Sequence, residues 1–270
     1  MLNKGNPITM FETYFAKLCF LCPLIFIAMF IDSIAGGGGI ITIPAYLFAG
    51  LPIQITYGTN KFVACIGTAF GAGNYIRKKY VDWRIAVPAL CGSLAGSTIG
   101  AQLALHLRPE ILQICLMIVL PFVALFMIFN RSFGDENAEK PSRSFRFAII
   151  AAILIGLVIG CYDGLFGPGT GMFFSLAFVL IERMTLIYAT GTTKVVNLAS
   201  NFAALVTYLM AGVVDFSIAI PCGLCSIAGC LLGSQCAIKK GAKFIKIIMI
   251  VAAMLLLGKL FIDFMESSIS

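Results

Sequence analysis

The chain has 270 residues, 60% of them hydrophobic and 11% charged, with a mean hydropathy of +1.00. A soluble domain carries about 25% charged residues, so this composition excludes one and most enzyme classes with it; at roughly 20 apolar residues per span, about eight to ten membrane helices fit. The 19 Lys and Arg outnumber the 12 Asp and Glu, but the bases cluster in short loops between apolar runs, which reads as membrane topology and not as nucleic-acid binding.

In chain order, Lys17 precedes an apolar run over 18–31 that ends in Asp32 and the glycines Gly36, Gly37, Gly38 and Gly39. Small residues after that run imitate a signal peptide, but the motif returns at Asp163, so the run is read as a retained first segment. A second stretch, 40–51, is too short to span upright. Pro52 and the tetrapeptide Gly58, Thr59, Asn60, Lys61 lead into a third segment, 62–76. Segments of full length follow at 85–105 and 111–130, then a polar linker at 131–146. The second half repeats the plan at 147–162, 164–181, 185–214, 216–238 and 247–262.

A shift of 133 residues superposes Gly58, Thr59 and Lys61 on Gly191, Thr192 and Lys194, and the register holds through Tyr75, Asp82, Pro88, Ser93, Gly100 and Gln102. From Gly58 to Ala104, 16 of 47 positions are identical to those 133 further on, without a gap, which identifies an internal duplication. Asp32 aligns with Asp163 after a two-residue adjustment.

Charge placement orients the halves. The loop 77–84 (RKKYVDWR) carries four bases and its counterpart 210–217 (MAGVVDFS) none, whereas the stretch after Leu103 has only Arg108 and the stretch after Cys236 has Lys239, Lys240, Lys243 and Lys246. Equivalent loops with exchanged charge face opposite sides under the positive-inside rule, which requires an odd number of crossings per half and an inverted repeat. With ten crossings, one side collects 13 Lys and Arg and the other four; the first is the cytoplasm. The expected fold is an all-α polytopic membrane protein of two inverted-topology repeats, 16–130 and 147–264, each of about five apolar segments, one of them glycine-broken. The linker 131–146 joins them in the cytoplasm.

The ten cysteines lie within or at the ends of apolar runs and read as packing residues. Two CxxC spacings, Cys19 with Cys22 and Cys222 with Cys225, each lack a second pair or a histidine in their own stretch, so neither is assigned redox or metal chemistry. His106 reads as interfacial. No Walker motif, nucleophile elbow or zinc-binding sequence is present, so no enzymatic activity, metal or cofactor is expected.

The chemistry is expected where the segments break. Gly36 to Gly39 in the first half, and Gly167 and Gly169 in the second, interrupt apolar stretches at the same place; broken helices expose N–H groups that suit an anion, and paired interruptions point to a transporter's site. Close helix packing is the competing reading. Lys61 and Lys194 are costly in a bilayer. Either they attract an anion with Thr59, Asn60, Thr192 and Thr193 as donors, or they snorkel to an interface, or they pair with Asp32 and Asp163. Those two aspartates are candidates for a coupling proton and equally for capping the broken helices. Asn197, Ser200 and Asn201 form a polar stripe after Lys194 whose first-half equivalents are Ala64, Gly67 and Thr68, so a binding site including Asn197 and Asn201 is asymmetric.

Asp32 with Gly36 to Gly39 and Pro44, then Gly58-Thr59-Asn60-Lys61, repeated as 163–171 and Gly191-Thr192-Thr193-Lys194, resembles the sulfite exporter TauE/SafE family over nearly the whole chain. The resemblance implies movement of a small sulfur-containing or organic anion, such as sulfite or sulfoacetate, across a bacterial cytoplasmic membrane. Pro168 and Thr170 depart from the first half's glycine run. The expected function is therefore a secondary transporter, an exporter of such an anion working by alternating access. An uncoupled anion channel and an assembly protein without transport are the alternatives. The expected partners are the anion, the lipid bilayer and further copies of the chain.

Overall fold

The computed structural model describes residues 14–108, 111 and 145–269, with side chains as far as residue 251. These residues form helices α1 (Tyr14–Ala35), α2 (Gly39–Phe48), α3 (Ile53–Arg77), α4 (Trp83–His106), α5 (Phe145–Leu165), α6 (Thr170–Leu180), α7 (Leu186–Met210) and α8 (Phe216–Ile269), the last broken at Gly241. Among the described residues there is no strand. The expected segment 111–130, apart from Ile111, and the linker as far as residue 144 lie outside them.

Helices α1, α4, α5 and α8 are long and apolar enough to cross a membrane. α3 and α7 have 25 residues each, about 37 Å at 1.5 Å per residue, so they also have the length, but they turn a polar face inward. α2 and α6, with 10 and 11 residues, cover only about half of a 30 Å hydrocarbon layer. Large apolar side chains such as Phe15, Val87, Val158, Phe202 and Leu224 remain exposed on the outside of the bundle, as lipid-facing residues do. The chain is a polytopic α-helical protein.

Close backbone contacts fix the direction of each helix. A Cβ at Gly92 would meet Ile153 and Leu157, one at Gly96 Leu157 and Cys161, and one at Gly100 Cys161 and Leu165, so α4 and α5 run parallel. Gly229 and Gly233 lie against Phe26 and Phe30 in the same way, which makes α1 and α8 parallel. Helix association in lipid depends on such close approach, because there is no hydrophobic gain from leaving one apolar phase for another. At the centre Gly58 abuts Val213 and Gly191 abuts Tyr80, so the equivalent helices α3 and α7 run antiparallel. The halves are therefore inverted. The loops 77–84 and 210–217 lie at opposite ends, while Tyr75, Val81, Ala237 and Ile245 share one core cluster and place the two basic loops, 77–84 and 239–246, at the same end. This is the arrangement the exchanged charges require.

The inversion extends to side chains. The N–H of Asp215 donates to Thr59 Oγ1 and that of Asp82 to Thr192 Oγ1, both at 3.1 Å. Ser226 donates to the Val63 carbonyl at 2.9 Å and Ser93 to that of Val196 at 3.3 Å. Tyr75 donates to the Ser33 carbonyl at 3.1 Å and Tyr208 to that of Gly164 at 2.9 Å. One expectation is corrected: the third segment begins at Ile53, not at residue 62, so Gly58 to Lys61 lie inside α3. Hydropathy hides this because these polar groups find their partners on other elements.

Candidate functional site

Each repeat turns back on itself at a break. α1 ends at Ala35, and Gly36 takes a φ of 83°; α5 ends at Leu165, with Gly167 at 88° and Gly169 at 76°. These left-handed values favour glycine. At Gly36 a second requirement applies, since an added Cβ would fall on the backbone of Gly171. The two breaks thus cross in contact, and the first turns of α2 and α6 face the space between the halves.

Two ion pairs flank that space, each joining one half to the other. Lys61 Nζ meets Asp163 Oδ2 at 2.8 Å, and Lys194 Nζ meets Asp32 Oδ2 at 2.9 Å. Lys61 and Lys194 are 2% and 0% exposed, which removes the snorkelling reading; both ammonium groups are neutralised by carboxylates, as burial in a low dielectric demands. Lys61 also donates to Asn201 Oδ1 at 3.1 Å, and Lys194 to the main-chain oxygen of Asp32. Asp163 accepts from Ser200 Oγ at 2.5 Å. Asp32 Oδ1 accepts from the Gly38 N–H at 3.0 Å, so this aspartate caps the resumed helix as well as pairing.

Depth follows from helix position. Lys61 lies eight residues into α3 and Lys194 eight residues into α7, about 12 Å from the start of each. Because these helices are antiparallel, Lys194 sits towards the end with the basic loops and Lys61 towards the other. Between them is a cavity of about 20 Å³ lined by Asp32, Gly36, Gly39, Asn60, Lys61, Asp163, Gly167, Asn197 and Asn201, together with Met29, Ala64, Thr170 and Gly171. That volume holds about one water molecule. Asn197 is 5% exposed and its Oδ1 has no hydrogen-bond partner among the described residues.

The fold thus gathers nine of the expected residues around one cavity. Gly37, Gly38, Gly169, Thr59, Thr192, Thr193 and Lys194 are not in its lining. Thr59 and Thr192 accept from the N–H groups that start α8 and α4, and Thr193 accepts from Ser175 at 3.1 Å, matching the bond from Thr42 to Asn60 Oδ1 at 2.6 Å. Gly171 was legible as part of the second half's version of the glycine run, and Thr170 only as a departure from it. Ala64 had a signal as the counterpart of Asn197, and Met29 had none.

Comparison with known proteins agrees with this architecture. The model of the family described as sulfite exporter TauE/SafE matches residues 21–260. A "probable membrane transporter protein ORF9" of Sinorhizobium sp is 38% identical, over 92% of this chain and 94% of the relative. The "probable membrane transporter protein YfcA" of Escherichia coli K12 is 32% identical over 89% of each chain, and a "probable membrane transporter protein" of Haemophilus influenzae 33% identical over 88% and 92%. No solved structure matches. By the family model and by these full-length likenesses, the chain is a multi-pass protein of the bacterial cytoplasmic membrane and belongs to the sulfite exporter TauE/SafE family.

Proposed function

We propose that the chain is a secondary transporter that exports a small anion, with sulfite or an organosulfonate as the leading candidates, by alternating access at the cavity between its repeats, 16–130 and 147–264. The observation that carries this reading is the placement of two reciprocal Lys–Asp pairs around a small polar cavity. Each pair ties one half to the other, so opening the Lys194–Asp32 pair frees the path towards the cytoplasmic end and opening the Lys61–Asp163 pair frees it towards the outside. A channel needs both open at once, whereas an alternating mechanism opens them in turn.

An arriving oxyanion competes with the carboxylate for the lysine. When Lys61 turns to the anion, Asp163 loses its counter-charge, and taking up a proton removes the cost of leaving it charged in a low dielectric. Asp32 has the same relation to Lys194. The amides of Asn60, Asn197 and Asn201 and the positive first turns of α2 and α6 supply further hydrogen bonds to the substrate. Sulfur chemistry is drawn from the family; the lysines, amides and helix first turns support a small anion.

The test is flux of labelled sulfite in proteoliposomes, with sulfoacetate and sulfate as competitors, with and without an imposed pH gradient. Saturable flux that responds to the gradient and is lost in a folded Lys61→Ala/Lys194→Ala variant is the expected result. Absence of flux with all three anions, from protein shown to be folded, removes the sulfur-anion assignment.

A further inference from the structure

The two CxxC pairs, unconnected in sequence, are brought together. Along the α1–α8 contact Tyr14 donates to the Ser217 carbonyl, Gly229 meets Phe26 and Gly233 meets Phe30, a constant offset of 203 residues. The same offset sets Cys19 level with Cys222, and Cys22 level with Cys225. Cys22 neighbours both Cys222 and Cys225, and Cys22 and Cys222 share one packed cluster with Tyr46 of α2. All four thiols are free. Among the described residues no group of three or more such ligands is arranged to hold a metal ion, which leaves thiol–disulfide chemistry.

We propose that Cys22 and the Cys222–Cys225 pair form an oxidisable thiol site that can join α1, and so the first repeat, covalently to α8 of the second. A small disulfide is the oxidant. A thiolate of the pair attacks one of its sulfurs and releases the first half as a thiolate; the second protein thiolate then displaces the other half, forming one protein disulfide, and the two released thiolates take up the two protons the protein thiols gave up. Three features favour the site over the other cysteines. It holds more than one thiol within reach, and the glycine contacts one turn further along bring the two backbones together. It also lies in the half of α1 and α8 nearer the end without the basic loops, Cys22 eight residues into α1 and Cys222 six residues into α8. The positive-inside rule puts that end outside the cytoplasm, where disulfides persist.

The experiment uses the full chain, purified reduced in detergent and treated with dipyridyl disulfide. Remaining thiols are then alkylated and the peptides mapped by mass. The expected product is a peptide linking Cys22 to Cys222 or Cys225, more abundant than any link through Cys91 or Cys230, reversed by reductant and absent from Cys22→Ser. Oxidised wild type should also melt at a higher temperature than reduced wild type, with no such difference in Cys22→Ser. Modification of the exposed Cys19 and Cys91 without a Cys22 link overturns the proposal, as does a link between α1 and α8 that survives in Cys22→Ser. None of these readouts depends on which anion is carried.

Discussion

Lys61 and Lys194 occupy equivalent positions on equivalent helices and meet equivalent carboxylates, yet their surroundings differ. Lys61 is held only by side chains, Asp163 and Asn201, and lines the cavity. Lys194 is held by the carboxylate of Asp32 and by its main-chain oxygen, and lies behind the cavity wall. Beside Lys61 stand Asn197 and Asn201, whose first-half counterparts are Ala64 and Thr68. The duplication has kept the Lys–Asp framework twice over, while several residues that face the cavity have diverged. Symmetry here belongs to the gates and asymmetry to the lining.

The largest effect tests the symmetric part. Lys61→Ala leaves Asp163 charged and unpaired, and Lys194→Ala does the same to Asp32, so each should cost about 3–5 kcal/mol, the range for breaking a buried pair. Removing both partners, as in Lys61→Ala/Asp163→Ala, should restore much of that loss. Denaturation of the purified variants in detergent measures both. If Lys61→Ala proves much milder than Lys194→Ala, the gates are not energetically equivalent.

A second test sets Gly36 against its counterpart Gly167. Both have positive φ, so alanine costs about 1 kcal/mol or more at either. Only at Gly36 does the new methyl fall on backbone, that of Gly171; at Gly167 the nearest atom is Lys61 Nζ at 3.6 Å. Gly36→Ala should therefore lower the melting temperature well beyond Gly167→Ala. Equal losses would mean that the crossing of the two breaks is not rigid.

Much of this architecture was legible in the sequence because it is written in composition and repetition: apolar runs, the 133-residue register, and bases exchanged between equivalent loops. The start of α3 was not, because Gly58 to Lys61 look like a loop when only hydropathy is read, and their partners Thr42, Asp163 and Asp215 lie elsewhere in the chain. Pairing of Lys61 with Asp163 could be written only as one of several options, since spacing within a sequence does not say which helices cross. The cysteines show the same limit: Cys22 and Cys222 are two hundred residues apart, and only the parallel packing of α1 on α8 makes them neighbours.

The asymmetric part is tested at Asn197. Its side chain lines the cavity and its Oδ1 has no partner among the described residues; the Nδ2 amide is the group that can donate to an anion. Asn197→Ala should leave stability within about 0.5 kcal/mol of wild type and raise the KM for the labelled anion about tenfold, the value of one hydrogen bond to a charged group. An unchanged KM would move the substrate away from this wall.

The smallest effect returns to the scaffold. Ser93 and Ser226 make equivalent bonds to the carbonyls of Val196 and Val63, and neither serine is in the cavity lining. Each alanine substitution should cost about 1 kcal/mol, and the two losses should match and add, because the bonds share no partner. Ser226 has one difference from its counterpart: its hydroxyl lies against Gly67, where any Cβ would collide with it. Because Gly67 carries no Cβ, Ser226→Ala leaves an unfilled gap there. If it proves costlier than Ser93→Ala, the difference measures how far the two framework contacts have drifted apart since the duplication.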